Sequence, residues 1–235
     1  MIPVNRMNFT RCGMPPSGEV NHLDTMNIVI EHTSPERRLL DHLSELGMLE
    51  TACILGTGAN GEAGWPFIPL ESYLIGVNGA VEIPLPWPLS LQARMVFDTS
   101  TPRLSWYEAY YKESSAVTIL GDGLPSDVCD YRFVARPGAI PDDGLVCDCT
   151  VGGAALDLCR RCYMEIGIPH TVYLCGLDFG GGYYFKRGPD GKRYRCQAPG
   201  TWGQLQPMNN LIADCIQRGM RVVTLSETEL EVEHA

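Results

Sequence analysis

The chain has 235 residues, 45% of them hydrophobic and 20% charged, which suits a soluble globular protein long enough to bury a sizeable core. Its formal net charge of −10 argues against sequence-independent nucleic-acid binding, which needs a basic face. No apolar run reaches membrane-spanning length and the N-terminus lacks a charged-then-apolar leader, so a cytoplasmic protein is the expectation.

Residues 1–25 mix Pro, Gly, Asn and Met without period and read as a loosely attached arm. Residues 26–31 are a short apolar strand candidate. Thr33, Ser34, Pro35 and Glu36 then supply a cap, a first-turn proline and an early acid. The helix they start carries Leu39, Leu40, Leu43 and Leu46 on one face and ends at Gly47. Residues 51–55 form the next strand, which runs into Gly56-Thr57-Gly58-Ala59-Asn60-Gly61. Glycines behind a strand let backbone N–H groups approach a phosphate, although such turns are also ordinary strand exits. Pro66 and Pro69 rule out the long helix that follows this turn in a dinucleotide fold, which counts against an NAD site.

Residues 72–77 read as a buried strand closed by Asn78, which either contacts a ligand or turns the local chain. Residues 82–92 hold Pro84, Pro86 and Pro88 around Trp87 and form an extended linker or lid. The strand at 93–97 ends in Asp98, an acid placed either for chemistry or as the cap of a helix over 102–112. Residues 117–120 and 131–135 are further strands, joined by a loop with solvated acids.

Residues 147–185 form the most organised stretch. A short apolar run ends at Thr150, and Gly152 and Gly153 open a helix whose apolar positions are Leu156, Leu158, Cys159, Cys162, Tyr163 and Ile166. Gly167 closes it, and residues 171–175 lead as a strand to Gly176-Leu177-Asp178-Phe179. The ten cysteines, without a secretory leader, do not imply disulfides. Cys147, Cys149, Cys159 and Cys162 fit zinc-ligand spacing poorly, so Cys159 and Cys162 read as core thiols. Lys186, Arg187, Lys192, Arg193 and Arg195 form a basic loop that either holds a phosphate or carboxylate or is simply solvated. A helix over 204–218 and a strand over 220–225 follow, and the acidic residues 227–235 are expected to fray. Strands and helices alternating throughout give one α/β domain with a mostly parallel sheet and helices on both faces.

The order of these segments resembles the bacterial sialyltransferase fold of the Campylobacter-type enzymes. It also resembles the related group that holds motility-associated flagellin glycosyltransferases and archaeal 6-hydroxymethylpterin diphosphokinase. The likeness runs through Gly56-Thr57-Gly58, the strand ending in Asn78, the strand ending in Asp98, the small-residue helix start Thr150-Val151-Gly152-Gly153, the Gly176-Leu177-Asp178-Phe179 strand end with Tyr183 close behind, and the last strand leading to Ser226. It spans residues 52–230, and the succession of motifs carries it, since no single one is specific.

The resemblance implies a single Rossmann-like nucleotide-binding domain over 26–230, between the arm at 1–25 and an acidic tail at 231–235. It implies a transferase acting on a nucleotide or nucleotide-sugar and a small-molecule or glycan acceptor, with no nucleic acid, no membrane span and room for a homo-oligomer. Gly56, Thr57, Gly58, Asn60, Asn78, Thr150, Gly152 and Gly153 would line the nucleotide pocket. Tyr183 would stand near the leaving phosphate, and Asp98 or Asp178 would act in catalysis, Asp178 equally well fixing the loop behind its strand. Two departures stand out: Thr57 and Ala59-Asn60 replace the family's Asn and Pro-Ser around the glycines, and Trp202 stands near where the sialyltransferases carry a catalytic His. A diphosphokinase would instead hold Mg²⁺ on Asp98 and Asp178. A third expectation is a non-catalytic nucleotide-binding module that has lost its base.

Overall fold

In a computed structural model, the residues described are 37–58, 60–97, 115–124, 129–136, 143–146, 150–179 and 201–235, the side chains of 82 and 201–203 excepted. All of them belong to one compact unit, Glu36–Ala235. The expected strand at 26–31, the helix over 102–112, the basic loop at 186–195, Cys147, Cys149, Asp98 and Tyr183 lie outside the described residues.

Short runs of β-branched and apolar residues give strands β1 (Thr51–Leu55), β2 (Ser72–Val77), β3 (Ala93–Val96), β4 (Val117–Gly121), β5 (Tyr131–Phe133), β6 (Ala135–Arg136), β7 (Leu145–Val146), β8 (Thr171–Cys175), β9 (Arg221–Thr224) and β10 (Glu233–His234). Among the described residues, eight of them build one sheet in the order β10-β9-β8-β1-β2-β3-β4-β5, with β6 and β7 paired separately. Every pairing between neighbours in the large sheet is parallel. Such strands are buried on both faces, hence the continuous apolar runs in the sequence. In β2 all six residues are buried.

Alternation along the strands divides the core into two layers. Ala52, Ile54, Tyr73, Ile75, Val172 and Leu174 face one side. There they meet helix α2 (Val151–Ile166) and helix α3 (Thr201–Gln217). Cys53, Leu55, Leu74 and Cys175 face the other, under Trp65, Ile68, Ala80 and Ile83. That second face is covered by the single turn α1 (Gly61–Gly64), by 3₁₀ turns and by the proline-rich strap. Both long helices among the described residues therefore share one face. The domain is a parallel α/β fold of the Rossmann-like kind.

Helix α2 ends where the sequence reads it, at Gly167 in the left-handed region at φ 82°, and Thr150 caps its start. Its buried residues include Cys159 and Cys162, so these two are core thiols. Asp157 and Arg160 are also fully or almost fully buried on this helix. Asp157 accepts the Val146 N–H at 3.0 Å and the Arg160 Nε–H at 2.8 Å, which ties α2 to β7. A buried ion pair needs such completion of its hydrogen bonds to offset desolvation.

The structure departs from the sequence reading in three places. The expected helix ending at Gly47 is, over its described part, two 3₁₀ turns, Leu39–Asp41 and Leu43–Leu46, separated by His42. The three-residue spacing of Leu43 and Leu46 suits that tighter coil, which stacks i and i+3. The expected strand at 131–135 splits after Phe133, because the Val134 carbonyl turns to the Leu145 N–H and the chain changes partner into β6. Finally, the C-terminal residues do not fray. Leu230 is buried, the Glu231 N–H is held by Asn209 Oδ1 at 3.1 Å, and β10 pairs with β9 under an Arg221–Glu233 ion pair. A hydrophobic anchor and ladder bonds outweigh the repulsion of the acids around them. Among the described residues no helix is long and apolar enough to cross a membrane.

Candidate functional site

From β1 the chain moves outward through β2, β3, β4 and β5, then returns over the helical face to place β8 on the other flank of β1. The direction of strand succession thus reverses between β1 and β8, and in open parallel sheets such a switch point at the C-terminal ends of the strands is where ligands bind. The register brings these ends level, with Leu55 beside Gly76 on one flank and beside Cys175 on the other.

At this point the glycine-rich turn closes directly onto the end of β8. The Gly56 N–H donates to the Cys175 carbonyl and the Gly58 N–H to the Gly176 carbonyl, each at 2.8 Å. The Asn60 N–H donates to Asp178 Oδ2 at 2.6 Å. A Cβ on Gly56 would overlap the Gly176 carbonyl and the Leu177 side chain, and one on Gly58 would overlap the Asp178 carboxyl. These glycines are thus required by the approach of one protein segment to another. Gly176 itself takes the left-handed conformation, φ 70°.

The segment after β9 completes the clasp. Ser226 Oγ accepts the Gly176 N–H at 3.0 Å, and Thr228 Oγ1 donates to the Leu177 carbonyl at 2.7 Å. The Glu229 N–H reaches the Asp178 carbonyl, and the Asn60 side-chain amide reaches the Glu227 carbonyl at 3.2 Å. Asp178 is 4% exposed and its Oδ1 has no hydrogen-bond partner. Burial pushes its carboxyl up to about 6, the Asn60 N–H pulls against that, the Glu227 charge adds to it, and the nearby Ser226 hydroxyl partly offsets it.

The start of α2 sits against the same strand end. Gly152 packs on the Leu177 side chain, where a Cβ would clash. Thr150 Oγ1 accepts the Gly153 N–H at 3.1 Å, and the Val151 and Gly152 N–H groups belong to the first turn, whose donors have no intrahelical acceptor. Asn78 follows β2 directly, with φ 51°, a conformation asparagine tolerates better than most residues. The structure thus gathers Gly56, Gly58, Asn60, Gly152 and Asp178 around Gly176–Leu177. Thr57 lies within the turn, Thr150 and Gly153 at the helix start, and Asn78 one strand away.

Ser226 and Thr228 are the polar partners that the sequence reading did not place at the site; a run of hydroxyl and acidic residues immediately after a strand was the signal for them. Of the histidines among the described residues, His234 alone stands at this edge of the sheet. It is exposed and paired in register with Thr224, the last residue of β9. Among the described residues no three His, Cys, Asp or Glu side chains gather as metal ligands. A separate cavity of about 270 Å³ opens beside β5, lined by Arg38, Asp41, Arg132 and Asp143 among others, at the far side of the sheet from β8.

Neither a family model nor a curated protein sequence matches the chain. A solved structure does: that of the MAf glycosyltransferase from Magnetospirillum magneticum AMB-1, with a TM-score of 0.58 at 13% sequence identity. The match covers 80% of this chain and 34% of that one, so the chain spans about a third of the length of that structure. The likeness reaches the motility-associated glycosyltransferase side of the resemblance, and none of the comparisons extends it to the diphosphokinases. At this identity what is shared is the fold.

Proposed function

We propose that the chain is a transferase of the sialyltransferase-like kind, binding a nucleotide or nucleotide-sugar at the C-terminal ends of β1 and β8 and passing a glycosyl group to a small-molecule or glycan acceptor. The observation that carries this reading is the convergence of the glycine turn, the N-terminus of α2 and the Gly176–Asp178 strand end at a single switch point. The shared fold with a glycosyltransferase agrees with it.

Within this reading the first-turn N–H groups of α2, at Val151 and Gly152, hold the phosphate, since a helix N-terminus favours an anion. Thr150 and Gly153 shape that terminus, and Thr57 and Asn78 face the nucleoside. Asp98 and Tyr183 are the catalytic candidates. Asp178 fits a positioning role better than that of a base, because one oxygen holds the Asn60 N–H and the side chain is buried. Its burial also favours a second reading, a binding module without transfer, as deprotonating an acceptor hydroxyl needs a base within reach of it.

Thermal denaturation with CMP, CDP, CMP-sugars, ATP and GTP, each with and without Mg²⁺, tests the proposal. A ligand at about 100 times its Kd stabilises a fold by about 2.7 kcal/mol, a rise of several degrees for a chain of this size. A rise with cytidine nucleotides in the absence of metal supports the reading. A rise only with ATP and Mg²⁺ replaces it with a diphosphokinase, and no rise with any of them overturns it. Release of CMP from a CMP-sugar then separates a transferase from a binding module.

A further inference from the structure

The glycine turn offers its amide donors to the protein itself. The N–H groups of Gly56, Gly58 and Asn60, the donors of the turn behind β1, are all engaged by the end of β8. The last of them holds a carboxylate oxygen, the chemical counterpart of a ligand's anionic oxygen.

We propose that Asp178 is the catch of a latch: it occupies the anion-binding amide of the glycine turn from within the chain, and its protonation state sets how firmly the turn is closed. The geometry argues this in three steps. Oδ2 is the oxygen bonded to the turn, so it is the oxygen whose loss opens it. Asp178 is 4% exposed, and the Asn60 N–H and the nearby Ser226 hydroxyl offset only part of the effect of burial, so its ionised form is costly to hold there. Among the described residues, the segments packed on the carboxyl carry acids: residues 56–64 contribute Glu62, and residues 225–231 contribute Glu227, Glu229 and Glu231. The Cys175 thiol at the end of β8 is another titratable group beside it among the described residues.

The carboxyl's preference for its proton in this setting, with Glu227 adding to the effect of burial, gives the sign. The neutral form is accommodated in the closed turn and the ionised form is tolerated less well, so the latch is tightest below about pH 4 and loosens as the pH rises to about 6. The latch itself stands on the apo geometry. Its consequence for ligands rests on the nucleotide reading above: a ligand oxygen that takes the Asn60 N–H must first displace Asp178 from it.

Hydrogen exchange at the Asn60 amide, followed by NMR and corrected for the intrinsic rate, tests the latch without any ligand, so its outcome is separate from that of the nucleotide reading. In Asp178→Asn a neutral amide keeps an acceptor for the Asn60 N–H. At pH 7 its Asn60 protection should exceed that of the wild type by about tenfold or more, while Asp178→Ala, which has no acceptor, should lose protection. The wild type should lose about tenfold between pH 5 and pH 7, and this trend stands in for the variant if Asp178→Asn does not fold. Asn60 protection that is independent of pH in the wild type overturns the proposal, as does equal or faster exchange in Asp178→Asn.

Discussion

A carboxyl that folding removes from water, with only an amide and a nearby hydroxyl to offset the burial of its charge, holds its proton more firmly in the folded chain than in the unfolded one. For Asp178 the folded value is about 6 against an ordinary 3.8. Because the folded value is the higher, the contribution to stability is fully present below about pH 4, declines between about 4 and 6, and is lost above that. The difference amounts to at most about 3 kcal/mol. Asp178→Asn is therefore expected to raise stability at pH 7 by about 1–3 kcal/mol, and to flatten the pH dependence over that window, as urea denaturation at pH 5 and pH 7 will measure. A drop in stability at pH 7 would show that the ionised carboxyl is worth more in place than a neutral amide. The neighbouring glycines make an opposite prediction. Gly58→Ala sets a methyl group against the Asp178 carboxyl and the Gly176 carbonyl, and overpacking of this kind costs about 1–3 kcal/mol. A Gly58→Ala protein as stable as the wild type would mean that the turn is not seated as described.

At the scale of elements, helix α2 packs its first turn on the end of β8, and it is also the element whose sequence is plainest. Thr150, the paired glycines, the apolar spacing and Gly167 each have a local physical role, and each is found in that role. Thr150→Ala should cost about 1 kcal/mol, the usual loss for an N-cap, measured by denaturant midpoint. The interior of α2 was less legible. Asp157 and Arg160 have no place in its apolar pattern, yet they are buried and bonded to each other, and Asp157 also accepts the Val146 N–H of β7. Periodicity tells which face is apolar but not which charge will find a buried partner across the fold. Asp157→Ala leaves Arg160 without that partner and strips the Val146 N–H of its acceptor. Breaking a buried pair from one side costs about 3–5 kcal/mol, so this variant should be far less stable than Thr150→Ala; a loss under about 1 kcal/mol would contradict the pairing. The strands around β1 were legible for a simpler reason: a buried parallel strand needs only an apolar run with turns at both ends. The split at Val134 was not, because it depends on which strand is nearest when the run ends.

At the scale of the whole molecule, the candidate site depends on three strand ends that are distant in sequence, and the last of them was hidden by its composition. Glycines after β1 and the Gly-x-Asp at the end of β8 are visible as motifs. The segment after β9 reads as an acidic tail, since Leu230, Val232 and the terminal Ala235 are its only apolar residues in Glu227–Ala235. Yet it gives the site a carbonyl for the Asn60 side chain, a hydroxyl for the Leu177 carbonyl and an N–H for the Asp178 carbonyl. Leu230 anchors it, 5% exposed in the core shared by α2 and α3. Leu230→Ala should therefore act at two levels. The buried side chain is lost at a cost of about 2–5 kcal/mol. The segment from Ser226 onward also loses its hold, so exchange should quicken at the amides of Gly176 and Glu229, which it bonds, while the amides of β3 and β4, several strands away, keep the protection that global stability allows. Hydrogen exchange separates these levels. A uniform loss of protection across the sheet would mean that Leu230 supports the fold alone, and a loss concentrated at the ends of β8 and β9 would mean that the C-terminal segment is a working wall of the site.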